Sequence, residues 1–186
     1  MKPGTYDPPA LVPYLYTGTG GATAWDIGCS MGNTMTTLMF NYTTVIGFEP
    51  STISLSYLKS IPPVMGVRVF GLAVSDHEGK VDLKLEEGPR RVPCRSIDSL
   101  TQKLPMPDFI KVDVIGHEVK VIRGAEFTMI ARPPEWLIEI YTAENGQEIQ
   151  TLLTQFGYTN TIIIDPDDPD PVSHYWIRAS IAPLGQ

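Results

Sequence analysis

The chain has 186 residues, 42% hydrophobic and 19% charged, with a net charge of −7 from 21 acidic and 14 basic side chains. That length suits one domain around a single sizeable core, and the acidic balance argues against a long electrostatic track on nucleic acid. No stretch approaches the ~20 apolar residues of a membrane span.

The opening "MKPGTYDPPALVPYLY" carries one lysine and four prolines, which does not read as a signal peptide, so a cytoplasmic location is expected. Residues 1–21 read as an extended, proline-stiffened arm whose Tyr6, Tyr14 and Tyr16 suit a lid, and residues 22–186 as one domain. Strand–helix alternation follows. A strand is predicted over 22–28, a helix over 33–42 capped by Asn33, a strand over 43–50 and a helix over 51–60 stopped by Pro62 and Pro63. Further strands are predicted over 67–75, 80–86, 108–114 and 135–141, with helices over 117–125 and 143–157. Two last strands, 158–165 and 174–181, are joined by a loop too short for a helical crossover and are expected to be antiparallel to each other. The pattern predicts an α/β fold with a mostly parallel sheet.

In open α/β sheets ligands bind beyond the carboxyl ends of the strands. The first strand ends in "DIGCSMGNT", with Asp26, Gly28 and Gly32; the second ends in Glu49, 17 residues after Gly32. Glycines allow a sharp turn and close approach, and an acid at the next strand end can accept two ribose hydroxyls. The spacing does not match the GxGxxG fingerprint of dinucleotide sites. Three readings stay open on this segment: a nucleoside donor such as S-adenosylmethionine (SAM), a dinucleotide, or glycines that serve packing only. Cys29 and Cys94 lack CxxC or metal-ligand spacing, so no metal site is expected.

Six ordered motifs, "WDIGCSMGN", "VIGFEPS", "GLAVSDHEGKVDL", "RSIDSL", "PDFIKVDVIGHEVKVIRGAE" and "WLIEIY", resemble those of the FkbM-like family of class I SAM-dependent methyltransferases over residues 24–141. The resemblance implies a Rossmann-like, seven-stranded sheet with an antiparallel last strand, and methylation of hydroxyls with S-adenosylhomocysteine as product. By position it implies that Asp26, Gly28, Cys29 and Gly32 form the donor loop and that Glu49 holds the ribose. Pro50, Ser51, Ala73 and Val74 would border the adenine. Lys111, Asp113, Gly116 and Glu118 match the family signature Lys-x-Asp-x-Glu-Gly-x-Glu, whereas Ile115 stands in place of its first glutamate.

Asp113 would face the donor, with Lys111 two residues earlier on the same face as its ion partner; a purely structural pair is the competing reading. A hydroxyl acceptor must lose a proton, and His117, at a helix start, is the expected base with Asp113 orienting it. The alternative for His117 is a helix-capping role. Glu139 and Tyr141 are further candidates on the acceptor side. Arg90, Arg91 and Arg95 form a cluster suited to an anionic acceptor or to plain solvation, and the acidic run 165–171 reads as a solvated loop. The expected acceptor is a small molecule, sugar or glycan, with a homo-oligomer conceivable and no membrane partner. Competing functions are methylation of nucleic acid or its cap, a SAM-binding module without catalysis, and, last, a nicotinamide dehydrogenase.

Overall fold

The computed structural model describes residue 15 and residues 21–85, 87–164 and 174–181. The expected N-terminal arm, apart from Leu15 and Gly21, and the acidic run 165–171 lie outside the described residues.

Seven strands form the main sheet: β1 (Gly21–Ile27), β2 (Tyr42–Phe48), β3 (Val67–Phe70), β7 (Phe109–Val112), β8 (Glu135–Ile140), β9 (Thr159–Ile163) and β10 (Tyr175–Ser180). Their order is β3-β2-β1-β7-β8-β10-β9. β1, β2, β3, β7 and β8 are mutually parallel, and β10 runs antiparallel to both of its neighbours. The chain reverses its direction of travel across the sheet between β1 and β7, the switch point where α/β sheets open a crevice.

Period-two alternation divides the core. Trp25 and Ile27 of β1, Ile110 and Val112 of β7, and Trp136, Ile138 and Ile140 of β8 pack on one face. That face is covered by α3 (Ile97–Leu100), α4 (Glu118–Arg123), α5 (Glu126–Ala131) and α6 (Ala143–Gln155). Ala24, Phe109 and Leu137 point the other way, toward α1 (Asn33–Leu38) and Leu58 of α2 (Thr52–Ser60). Burial on both faces is what makes these strands near-continuous apolar runs. The same alternation puts Asp26, Lys111 and Glu139 on the α1 side, among apolar neighbours.

Three expectations need correction. The strand predicted over 67–75 is two: after Phe70 the chain bends at Gly71 and Leu72, and β4 (Ala73–Val74) enters a second sheet of order β4-β6-β5. There β5 (Gly79–Leu85) and β6 (Gly88–Arg95) form a hairpin, where an arginine-rich loop was expected. Successive Arg90 and Arg91 therefore face opposite sides of the hairpin, and Arg95 is paired with Glu78 at 2.9 Å, so the three do not form one cluster. The first helix ends at Leu38, because Tyr42 must already be in the sheet, and its N-cap is Gly32 rather than Asn33.

Glu87, in the turn of this hairpin, accepts from the Thr52 amide and from the Ser51 and Thr52 hydroxyls at the start of α2. Although burial pushes the other way, these bonds hold Glu87 at about 2. Elsewhere in the domain, Asp98 accepts from the Phe127 and Thr128 amides and the Thr128 hydroxyl, capping α5 from α3. Asp98→Ala leaves these donors unmatched and should lower stability by about 1–3 kcal/mol, read as a shifted urea midpoint at unchanged slope.

Candidate active site

The loop after β1 leaves the sheet through two residues at positive φ, Gly28 (80°) and Ser30 (45°), before Gly32 (86°) starts α1. At Gly28 the requirement is also steric: a Cβ would lie 1.8 Å from the Asp113 carbonyl oxygen. The glycine is therefore explained by the contact between the β1 and β7 loops, whatever else the loop does. Gly32 likewise sits close beneath Leu58 of α2. Cys29 is buried, and burial pushes its thiol far up, so it stays neutral.

Glu49, just past β2, turns its carboxylate back toward this loop. Its Oε2 accepts from the Ser30 amide at 2.9 Å and its Oε1 from the Ser51 amide at 2.7 Å. Burial raises Glu49 above the usual carboxylate range, and the two amides work against that rise. Each oxygen keeps a further lone pair for an incoming hydroxyl. Ser51 caps α2 through its side chain and follows the half-buried Pro50. Ala73 and Val74 are buried and pair with Cys94 and Arg95 of the second sheet.

At the centre of the sheet, Asp26 and Lys111 are register partners on adjacent strands. The Lys111 ammonium, 3% exposed, lies 3.2 Å from Asp26 Oδ1 and 3.3 Å from Asp113 Oδ2, and donates to the Gly28 carbonyl at 3.3 Å. Tyr141 donates to Asp113 Oδ1 at 2.7 Å. Burial would raise Asp113, but Lys111, Tyr141 and a bond from Glu139 outweigh it and hold Asp113 below the usual range.

Glu139 is the second carboxyl in this group. Burial and the neighbouring Asp113 charge push it up to about 7. Its Oε1 lies 2.7 Å from His174 Nε2, and the His174 ring stacks on Tyr141 with centroids 5.2 Å apart. The pairing of β10 with β8 explains this: Tyr175 opposes Ile140, so the next position brings His174 opposite Tyr141. His174 was not singled out in the sequence. Its position depends on the register of a strand that follows a proline-rich connection, and no local pattern fixes that register.

His117 lies elsewhere. It is the N-cap residue of α4 and its Nε2 is 3.0 Å from Ser75 Oγ, beside the second sheet. Burial and Lys120 lower its affinity for a proton. The expected orientation of His117 by Asp113 is not formed: Asp113 bonds Lys111, Tyr141 and Glu139, and the His117 ring bonds Ser75. Glu118 is fully buried and accepts from the Gly116 amide at 2.8 Å and from Asn145 at 3.3 Å, holding the turn into α4. Ile115 has φ 39° and is 56% exposed. A β-branched residue in that region is strained by about 1–3 kcal/mol. Among the described residues there is no cluster of His, Cys, Asp and Glu able to hold a metal ion, and no helix long and apolar enough to cross a membrane.

A doubly wound sheet with an antiparallel β10 and an acidic crevice at its switch point defines the Rossmann-like methyltransferase class. Comparison places the chain further: residues 30–159 match the methyltransferase FkbM domain, and the chain belongs to that family. The FkbM methyltransferase of Methylobacillus flagellatus KT superposes with a TM-score of 0.64 at 18% identity, over 86% of this chain and 44% of that one. This chain thus spans less than half the length of that relative. Precorrin-6y C5,15-methyltransferase from Geobacter metallireducens GS-15 gives 0.58 at 14% identity, over 93% and 87% of the two chains. Magnesium protoporphyrin IX methyltransferase from Synechocystis PCC 6803, solved with bound SAM, gives 0.58 at 12%, over 93% and 77%. No curated protein sequence matches the chain.

Two outcomes follow from the charges. Lys111→Met strands Asp26 in the core and should cost about 3–5 kcal/mol in chemical denaturation, part of it recovered by adding Asp26→Asn. Glu139, ordinarily near 4.5, titrates at about 7 when folded. The folded state then keeps a proton that the unfolded chain has lost. Its stabilising contribution is complete below about 4.5 and is lost as the pH rises through 7. Glu139→Gln should flatten that fall. Glu49 and Glu118 shift in the same direction, so denaturation curves of variant and parent are compared at each pH.

Proposed function

We propose that this chain transfers a methyl group from SAM to a hydroxyl of a small molecule, sugar or glycan. Bound SAM supplies an electrophilic methyl on a sulfonium and leaves as S-adenosylhomocysteine. The observation that carries the donor half is Glu49. Its two oxygens are each oriented by one backbone amide, from Ser30 and Ser51, beside the loop of Gly28, Cys29 and Gly32. That is a preorganised acceptor for two vicinal hydroxyls, which a ribose has. Pro50, Ser51, Ala73 and Val74 are the residues proposed to border the adenine.

Asp26, Lys111 and Asp113 support the reading electrostatically. One ammonium between two carboxylates leaves a net negative charge at the strand ends, suited to a cationic sulfonium or amino group. Lys111 and Asp113 are proposed to set that field and to hold the β7 end in place. The family membership and the SAM-bound Synechocystis structure favour the same donor. The negative charge of the chain favours a neutral hydroxyl acceptor over nucleic acid.

A second reading, a donor-binding module without turnover, draws on one observation: Ile115 exposes a strained apolar side chain where the family motif has a glutamate. Calorimetric titration with SAM and with S-adenosylhomocysteine tests the common part. Both should bind, and Glu49→Gln should weaken both at least ~10-fold, the equivalent of about 1.4 kcal/mol. Lack of binding by either compound would sink the proposal; binding without turnover on any hydroxyl would leave the module.

A further inference from the structure

We propose that Glu139 takes the proton from the acceptor hydroxyl and that His174 positions Glu139 and passes that proton outward. The inference rests on the methyl-transfer reading and names the base for it.

Most ionisable groups at this end of the sheet are already committed. Asp26 and Lys111 are buried against each other. Asp113 is shared between the Lys111 ammonium and the Tyr141 hydroxyl. Glu118 holds the Gly116 amide and Asn145. His117 bonds Ser75 at the second sheet. Glu49 belongs to the donor loop. Glu139 bonds Asp113 and Tyr141 as well, but it also meets His174: its Oε1 lies against that ring, and the side chain is 12% exposed next to an imidazole that is 35% exposed. A path from the buried carboxyl to water therefore runs through His174.

The charges facing Glu139 make it a base of suitable strength. Lys111 comes from β7 and Asp113 from just past its end, Tyr141 from just past the end of β8 and His174 from just before β10, with Asp26 of β1 behind Lys111. Asp26 and Asp113 together already overbalance Lys111 by one negative charge. Ionising Glu139 adds another within a buried cluster, so it holds its proton to about 7. A base near neutral pKa works best at neutral pH. In the transfer, the O–H pair stays on the acceptor oxygen and forms the bond to the methyl carbon. The carbon–sulfur pair goes to sulfur, and the proton goes to Glu139 and then by way of His174 to water. His174 is a positioning residue here; its stacking on Tyr141 fixes the ring that holds Glu139 Oε1.

Side-chain carboxyl 13C resonances of glutamate-labelled protein, followed against pH, test this with no acceptor in hand. One resonance should titrate near 7, vanish in Glu139→Gln and move to higher pH in His174→Phe, since His174 lowers Glu139. In turnover on a hydroxyl acceptor the acid limb of the pH profile should follow the same midpoint and shift with it in His174→Phe, whereas a purely structural His174–Glu139 contact moves the resonance and leaves the turnover profile in place. A Glu139 midpoint of 4–5, or one indifferent to His174→Phe, overturns the assignment. Calorimetry with S-adenosylhomocysteine on the same samples separates the two levels. Retained affinity with an ordinary midpoint removes the base alone, whereas lost affinity in the parent protein removes the methyl-transfer reading beneath it.

Discussion

A single buried ammonium organises this end of the molecule. Lys111 sits at the heart of the sheet, where an unpaired cation would be prohibitively costly. Three separate pieces of chain meet that demand: Asp26 from β1, Asp113 from the segment after β7, and the carbonyl of Gly28 from the loop between β1 and α1. Each of these contacts also fixes a neighbouring part of the candidate site. The Gly28 bond anchors the loop beside Glu49, and the Asp113 pair fixes the carboxylate against which Tyr141 and Glu139 are set. Removing charge from this centre would therefore loosen both halves of the crevice together.

The same geometry explains how two carboxyl groups a short way apart acquire different characters. Asp113 lies nearest the cation and a hydroxyl donor, which keeps it ionised despite burial. Glu139 meets the resulting negative charge, which an imidazole at the rim and the more distant Lys111 offset in part. One sheet face thus carries a permanent anion and a titrating group side by side. Neither would have this character on an exposed loop, where water would screen the difference.

Much of the frame was legible in the sequence because it rests on local rules. The alternation in "PDFIKVDV" places Lys111 and Asp113 on one face, and that pair is present at 3.3 Å. The turn after Ile27 and the acid ending β2 could be read from glycine and spacing, and the antiparallel end of the sheet from the short connection to β10. What escaped depends on contacts distant in the chain. "VRVFGLAVS" reads as one strand, yet Gly71 and Leu72 send its second half to pair with β6. Asp26 could not be assigned to Lys111 without knowing that β1 lies next to β7. His117 stands at a helix start as read, but its ring bonds the Ser75 hydroxyl beyond β4 and not Asp113. Apolar Met39 and Phe40 extended the predicted first helix; in the fold Phe40 is 72% exposed in the turn before β2.

The contact at Gly28 carries a meaning for how such a protein can diversify. With no room for even a methyl group between that residue and the Asp113 carbonyl, the loop after β1 and the segment after β7 are in direct main-chain contact. A change in the path of either main chain therefore has to be matched by the other, whereas side chains on this frame can be exchanged one at a time.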